Sequence, residues 1–504
     1  MKTPILGFSY VARSVNAADN QMINLFPEAI PEGGKEPSFL QRAPGLLKLC
    51  TVGTGPVRGL WQMNGTGYVV SGSGFYSVDT NWVSTPLGTV TGVGPVSISD
   101  NGTQIFIATN PDGYIYNAST EVFAQIVDPD FPGAVTVGYL DGYFVFNQPN
   151  SQKVWVTALL DGTSIPGYFA SAEGSPDGLV SLIIDHREAW LFGTTSIEVW
   201  YNAGTPDFPL QRIQGAFNEI GCAAPYSVAK LDNGLFWLGS DARGKGIVYR
   251  ANGYSGERIS THAVEWQIQQ YSDISDAIAY TYQQDGHAFY VLIFPTANAT
   301  WVFDVATKAW HERAGWDNGL FTRHRSNCQM SFSNQIVVGD YVNGDLYAFD
   351  LDVYSDNNEI QRWLRSWRAL PTGQNNFNRT AHHTLQVDAQ TGHYLNPVSD
   401  SDLLITESGN NLITEDENYL AASITDAITV DPQFMLRWSD DGGHTWSNSH
   451  WAGGGPVGAY FTRIFWRRLG MTVKLRDRVY ELSGTDPIKI AIMGAELKLS
   501  PTNA

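Results

Sequence analysis

The segment Ser439-Asp440-Asp441-Gly442-Gly443-His444-Thr445-Trp446 has the residue types and spacing Ser-x-Asp-x-Gly-x-Thr-Trp, an Asp-box. This pattern suits local turn chemistry. Asp441 can accept from backbone N–H groups in a tight hairpin, Gly443 permits the turn, and Trp446 anchors it in the core. Ser439 and Thr445 complete the pattern, and all five residues are read as structural. Glycan cleavage would demand more: an arginine cluster, a nucleophilic tyrosine with an acidic partner, and an acid/base carboxylate. Arginines and tyrosines are present, but no local motif links them.

Other reactive residue types are scattered. The ten histidines have no metal-ligand spacing, and adjacent His382 and His383 on a strand would point to opposite faces. Cys50, Cys222 and Cys328 are far apart and odd in number, so free buried thiols are expected. The Asp-rich stretches 340–352 and 355–359 lack the EF-hand pattern. Asp241-Ala-Arg-Gly-Lys-Gly246 lacks Walker spacing. The reading assigns no catalytic residue, no cofactor and no metal ligand.

What would position any of these residues is an all-β chain. Gly 50, Trp 16, Tyr 23 and Phe 24 are high, and no long run has 3.6-residue apolar spacing. The best helix candidate is short, around 360–368. Residues 52–366 repeat one theme: an apolar strand, a Gly/Asn/Asp turn, an aromatic-rich strand, and often a third strand with Tyr or Trp. In one unit Leu179–Ile184, Glu188–Phe192 and Ser196–Tyr201 form a meander. Seven such units at about 45 residues each match β-propeller blades, which bury both faces by radial stacking. A long β-sandwich would give similar strand spacing. Asp/Asn-Gly pairs supply the positive-φ positions of tight hairpins.

Residues 1–51 are turn-rich and read as an N-terminal extended arm on the first blade or as an inter-subunit clasp. After a linker at 371–380, residues 367–504 read as a second, sandwich-like β-domain, with an inserted hairpin at about 391–432 that carries a tandem Leu-Ile-Thr-Glu.

Net charge is −19, from 31 basic and 50 acidic residues. That opposes general nucleic-acid binding, which needs a positive surface to displace counterions. It fits solubility, or a surface that passes DNA without holding it. No stretch approaches the roughly 20 apolar residues of a membrane span, so no membrane insertion is expected. Met1-Lys-Thr-Pro lacks the apolar core of a signal peptide, which points to synthesis in a cytoplasm.

Long, uncommon strings in the chain resemble the packaged-DNA stabilisation, or tail hub (nozzle), proteins of short-tailed phages. They are Ser175–Gly204, Phe217–Val228, Trp237–Asp241, Arg258–His262 and, towards the end, Arg463–Gly470. Near the start, Asn24-Leu-Phe-Pro-Glu28 and Pro44-Gly-Leu46 are similar too. The resemblance implies a structural, non-enzymatic virion tail protein made in the host bacterial cytoplasm. Six copies would form a homo-hexameric ring below the portal-adaptor ring, close the channel after packaging and conduct DNA at ejection. The ring would dock a tail fibre or tailspike protein and a plug or needle protein, and DNA would cross its lumen without specific binding. The alternative is a carbohydrate-binding or glycan-cleaving propeller at the tail tip, adhesin-like or sialidase-like. Its mark would be exposed Trp and Tyr beside carboxylates about 5–10 Å apart.

Overall fold

The tightest turns in the chain follow from residue type. Asn64-Gly65, Asp141-Gly142 and Asp285-Gly286 take φ values of +52 and +79, +48 and +98, and +48 and +82. These left-handed pairs match the twist of two antiparallel strands. Asp232-Asn233 and Ser333-Asn334 do the same without glycine, as do His186-Arg187 in the Ser175–Gly204 run.

The computed structural model describes residues 1–502 except 16, 207, 242–243, 375–377, 392–430, 456–461 and 474–477. It divides into two compact units, Lys48–Phe349 and Met1–Leu47 with Asp350–Ala504. The boundaries drawn from sequence, 1–51, 52–366 and 367–504, differ from this division. The hairpin expected at about 391–432 falls almost wholly outside the described residues.

The unit Lys48–Phe349 is a seven-bladed propeller. Its first blade is Val57–Met63, Thr66–Ser71, Gly74–Val78 and Ser84–Thr89, antiparallel and in sequence order. Five more sheets follow in the same order, ending with Ile278–Gln284 to Ala309–Glu312. In the fifth, Gly221–Cys222 and Ala229–Leu231 both pair with Gly234–Asp241, so its innermost strand is split. The seventh blade contains Ser326–Phe332, Gln335–Asp340 and Asp345–Asp350, and strand Gly45–Thr51 adds its outermost strand. The first strand of the propeller thus closes its last blade. Val52 N donates to Gly344 O at 2.7 Å. Lys48 Nζ and Thr51 Oγ1 both meet Asp345 Oδ1, at 2.8 and 2.5 Å.

Between blades the core is aromatic. Tyr68 and Phe75 of the first blade meet Tyr116 of the second at centroid distances of 5.7 and 5.8 Å. Phe106 packs on Phe144 and Phe146, both at 5.7 Å, between the second and third. Each such ring, fully buried, contributes about 1.5–3 kcal/mol by leaving water. The α-helix His262–Gln269 lies in the connection from fifth to sixth blade, capped by Thr261.

The other unit is a β-sandwich. One sheet runs Ile464–Met471, Thr380–Gln390, Ala491–Pro501, Ser38–Arg42, Leu25–Ala29, with Lys2–Thr3 also on Ala491–Pro501. The facing sheet contains Met22–Ile23, Trp363–Arg368, Val479–Gly484, Gln433–Ser439 and His450–Gly453. Trp363, Trp367, Leu385, Phe434, Tyr480 and Leu497 fill the space between them.

Two expectations are corrected here. The N-terminal segment is not an arm: Leu25, Phe26 and Leu40 are buried, and their strands belong to the sandwich. Arg42 holds them there, donating to the carbonyl oxygens of Tyr354, Gln361, Asp486 and Ile488 at 2.7–3.0 Å. The short helix expected at 360–368 is instead the central strand Trp363–Arg368. Covered on both faces, it buries Trp363 to Trp367 without a break, so it lacks the alternation that marks a half-exposed strand.

Candidate functional site: the propeller axis

The innermost strands of all seven blades surround an axial cavity of about 550 Å³, lined among others by Trp61, Ser97, Thr136, Ser181, Tyr226 and Asn327. Each neighbouring pair of blades is tied at this wall. Val96 N donates to Arg58 O at 3.3 Å, Val137 N to Ser97 Oγ at 3.1 Å and Leu182 N to Thr136 Oγ1 at 2.8 Å. Ser181 Oγ donates to Pro225 O at 2.7 Å and Ala279 N to Tyr226 O at 2.8 Å. Tyr280 Oη and Ser326 Oγ are 2.5 Å apart, and Asn327 Nδ2 donates to Val57 O at 2.9 Å. The seven bonds make a closed circuit of the ring.

These groups are spent on one another. Burial pushes the Tyr226 hydroxyl up to about 12, so it stays protonated at neutral pH. Arg58 donates to Gly72, Thr91 and Gly94 carbonyls at 2.6–3.0 Å. Trp61 Nε1 donates to Asp100 Oδ2 at 2.8 Å. The wall is a hydrogen-bonded hoop, and its volume falls in the range of small-molecule clefts. Sequence reading missed this hoop. Its signal was a hydroxyl or amide residue at or near the start of an inner strand: Ser97, Thr136, Ser181, Asn327.

The Asp-box occupies the loop joining strands Gln433–Ser439 and His450–Gly453. Asp441 Oδ1 accepts from Thr445 N at 2.8 Å and from Ser439 Oγ at 2.6 Å, and Oδ2 accepts from Thr445 Oγ1 at 2.5 Å. Ser439 Oγ accepts from Gly443 N at 2.8 Å, and Gly443 has φ +95. The bonds from Ser439 and Thr445 hold the Asp441 carboxyl well below the usual carboxylate range. Trp446 differs from expectation. It is half-buried, 4.8 Å from the Arg437 guanidinium, which itself forks onto Glu481 at 2.6 and 2.7 Å. The indole covers an ion pair at the surface; the core is already filled by Phe434 and Leu436 from the same strand.

Other candidates stay apart. His382 is buried between Thr380 Oγ1 and Tyr480 Oη, whereas His383 is exposed on Ser500 Oγ. The three cysteines are free thiols, and burial pushes Cys222 up to about 11. Among the described residues no group of three His, Cys, Asp or Glu is placed to hold a metal ion. No helix among them is long and apolar enough to cross a membrane.

A closed seven-bladed propeller is thus joined in sequence to a β-sandwich, and its axial polar groups bond neighbouring blades to one another. Residues 1–354 match the family model described as bacteriophage P22 Gp10, beta-propeller, and residues 363–500 the one described as bacteriophage P22 Gp10, beta-sandwich. The chain belongs to this family of short-tailed phage tail hub and stabilisation proteins. No curated protein matches it in sequence. Among solved structures it is similar to the extracellular domain of the one-component system BT4673 from B. thetaiotaomicron. Identity there is 13%, coverage 87% of this chain and 58% of that one, and TM-score 0.41. It is also similar to the N-terminal domain of Nup159 (9%, 64% and 97%, TM-score 0.37). A third is the computationally designed Ika8 protein (13%, 66% and 99%, TM-score 0.36).

Proposed function

We propose that this protein is the tail hub of a short-tailed virion. Six copies form a ring below the portal-adaptor ring, close the channel after DNA packaging and conduct DNA at ejection. The ring docks a tail fibre or tailspike and a plug or needle. It performs no catalysis, and its chains are made in the host cytoplasm. The observation that carries this reading is the family membership, which spans both units.

Two physical points support it. An axial cavity of about 550 Å³ suits a small molecule, and a duplex cannot thread it. A DNA channel must therefore form between copies. The propeller residues 48–349 carry 27 Asp and Glu against 14 Lys and Arg. A lumen walled by such a surface repels the phosphate backbone and keeps DNA from sticking.

The experiment is assembly of virions lacking this protein. Capsids that fill with DNA and then leak it are expected. DNA-filled, stable particles that only fail to attach to cells would overturn the closure role and favour the adhesin reading.

A further inference from the structure

The charge of this chain is unevenly placed. The propeller holds 13 of the 19 excess negative charges (27 acidic minus 14 basic), while one sheet face of the sandwich is basic. In the sheet led by strand Ile464–Met471, Arg467, Thr384 and Lys498 share one row, and Phe465, Gln386, Glu496 and Lys2 the next. The opposite side chains, Ile464, Trp466, Leu385, Val387 and Leu497, are buried in the sandwich core. The first set therefore faces away from that core.

Lys2 pairs with Glu36 and Lys35 with Asp388 on this face. That leaves Arg463, Arg467, Arg468 and Lys498, all exposed and without an ion-pair partner among the described residues, against Glu496 alone. Arg468 has φ +59, where the register with Thr380–Gln390 shifts, and a bulge of this kind re-aims side chains. Phe465 is 38% exposed with the Arg467 guanidinium 4.4 Å from its ring, and Met471 at the strand end is 50% exposed. A row of cations interleaved with apolar side chains on an edge strand has the composition of a protein interface.

The matching surface lies on the propeller. Asp130, Glu173 and Glu219 occupy the successive connections from second to third, third to fourth and fourth to fifth blade. Connections of this type all emerge on one face of a propeller. The three carboxylates are exposed and have no ion-pair partner among the described residues.

We infer that the basic sheet face of one copy docks on the Asp130–Glu173–Glu219 face of a second copy. The inference rests on the ring reading above and names the faces that meet. The two patches are different and lie on different units, so the contact is heterologous, and repetition of a heterologous contact closes into a ring when its rotation allows. Opposite charges set the register and disfavour like-face pairing. A surface of alternating cations, Phe465 and Glu496 is also ill suited to a phosphate backbone, which wants cations alone.

The test is sedimentation velocity of the full chain at micromolar concentrations and low ionic strength. Two double variants change only exposed side chains: Arg467→Glu with Lys498→Glu, and Glu173→Lys with Glu219→Lys. Each alone is expected to weaken self-association by at least about tenfold at unchanged melting temperature. Their equimolar mixture is expected to associate again, because each variant then offers the other an opposite face. Three results would overturn the inference: no self-association of the unmodified chain, association insensitive to either reversal, or a mixture no better than its components. A duplex DNA fragment retarded by the unmodified chain but not by Arg467→Glu with Lys498→Glu would overturn it too, by assigning the basic face to nucleic acid. Any of these could occur while virions lacking the protein still leak DNA, so failure of the interface and failure of the hub reading are separate results.

Discussion

Asn327 Nδ2 donates a 2.9 Å hydrogen bond to Val57 O, a residue 270 positions away. Both residues are buried, and the bond joins the first strand of the seventh blade to the first strand of the first. It is the link of the axial circuit that cannot form until the ring is closed. The apolar packing of the other blades is mostly between neighbours in sequence, so closure is where long-range order is concentrated.

Asn327→Ala should therefore destabilise the propeller by about 1–3 kcal/mol, because the buried Val57 carbonyl is left with only the weak 3.8 Å contact from Cys328 Sγ. Asn327→Asp should cost more, since it places a carboxylate against a carbonyl oxygen. Equilibrium denaturation followed by tryptophan fluorescence measures both. A neutral alanine variant would mean that water replaces the amide.

Much of the propeller was legible because its information is local. Asp141-Gly142 and Asp285-Gly286 announce their turns, and the apolar strands flanking them announce the blades. In the fourth blade His186-Arg187 makes the same turn without a glycine or asparagine, and there only the flanking strands revealed it. The outermost strand of the seventh blade, Gly45–Thr51, was not legible as such: nothing in its sequence says that it pairs with residues 300 positions later (roughly, from strand positions). The same applies to Leu25–Ala29 and Ser38–Arg42, which look turn-rich alone and acquire their core only from the C-terminal strands. In the Asp-box turn the backbone N–H taken up by Asp441 was legible, whereas the bonds of the Ser439 and Thr445 hydroxyls and the place of Trp446 were not, the last because core capacity is a property of the whole sandwich.

Arg42 is the clearest case of such non-local fixing. Its guanidinium serves four carbonyl oxygens on two distant segments. Lysine has the charge but not the planar fork that reaches all four. Arg42→Lys should destabilise the sandwich by at least about 3 kcal/mol, with several buried carbonyls left unpaired. Limited proteolysis should then release the N-terminal segment first. An unchanged digestion pattern would show that the strand pairing alone holds it.

For the Asp-box, Asp441→Ala should lower the melting temperature of the sandwich and leave any glycan-processing assay unchanged. Ser439→Ala should cost about 1 kcal/mol by the same route, since its buried hydroxyl accepts from Gly443 N. Loss of a measurable hydrolytic activity at unaltered melting temperature would contradict the structural reading.

Acid should destabilise the propeller before its carboxylates protonate. His311 and His324 are fully buried, and burial, reinforced by nearby Arg313, resists their protonation. His324 is pushed down to about 3. In the unfolded chain each takes up a proton near the ordinary histidine value of about 6.5. The sign follows: below that value the unfolded state binds more protons, so stability falls as pH falls. Each histidine contributes up to about 1.4 kcal/mol per pH unit across this window. His186, exposed beside Asp185, is shifted upward and acts in the opposite sense, but its solvent exposure makes it minor. Buried His382 adds the same acid sensitivity to the sandwich. Between pH 6.5 and 4.5 the melting temperature should decline steadily, and His324→Gln should flatten the slope by about one proton's worth. Denaturant titrations at four or five pH values supply the slope. An identical slope in the variant would mean that His324 is protonated as readily in the folded chain as in the unfolded one.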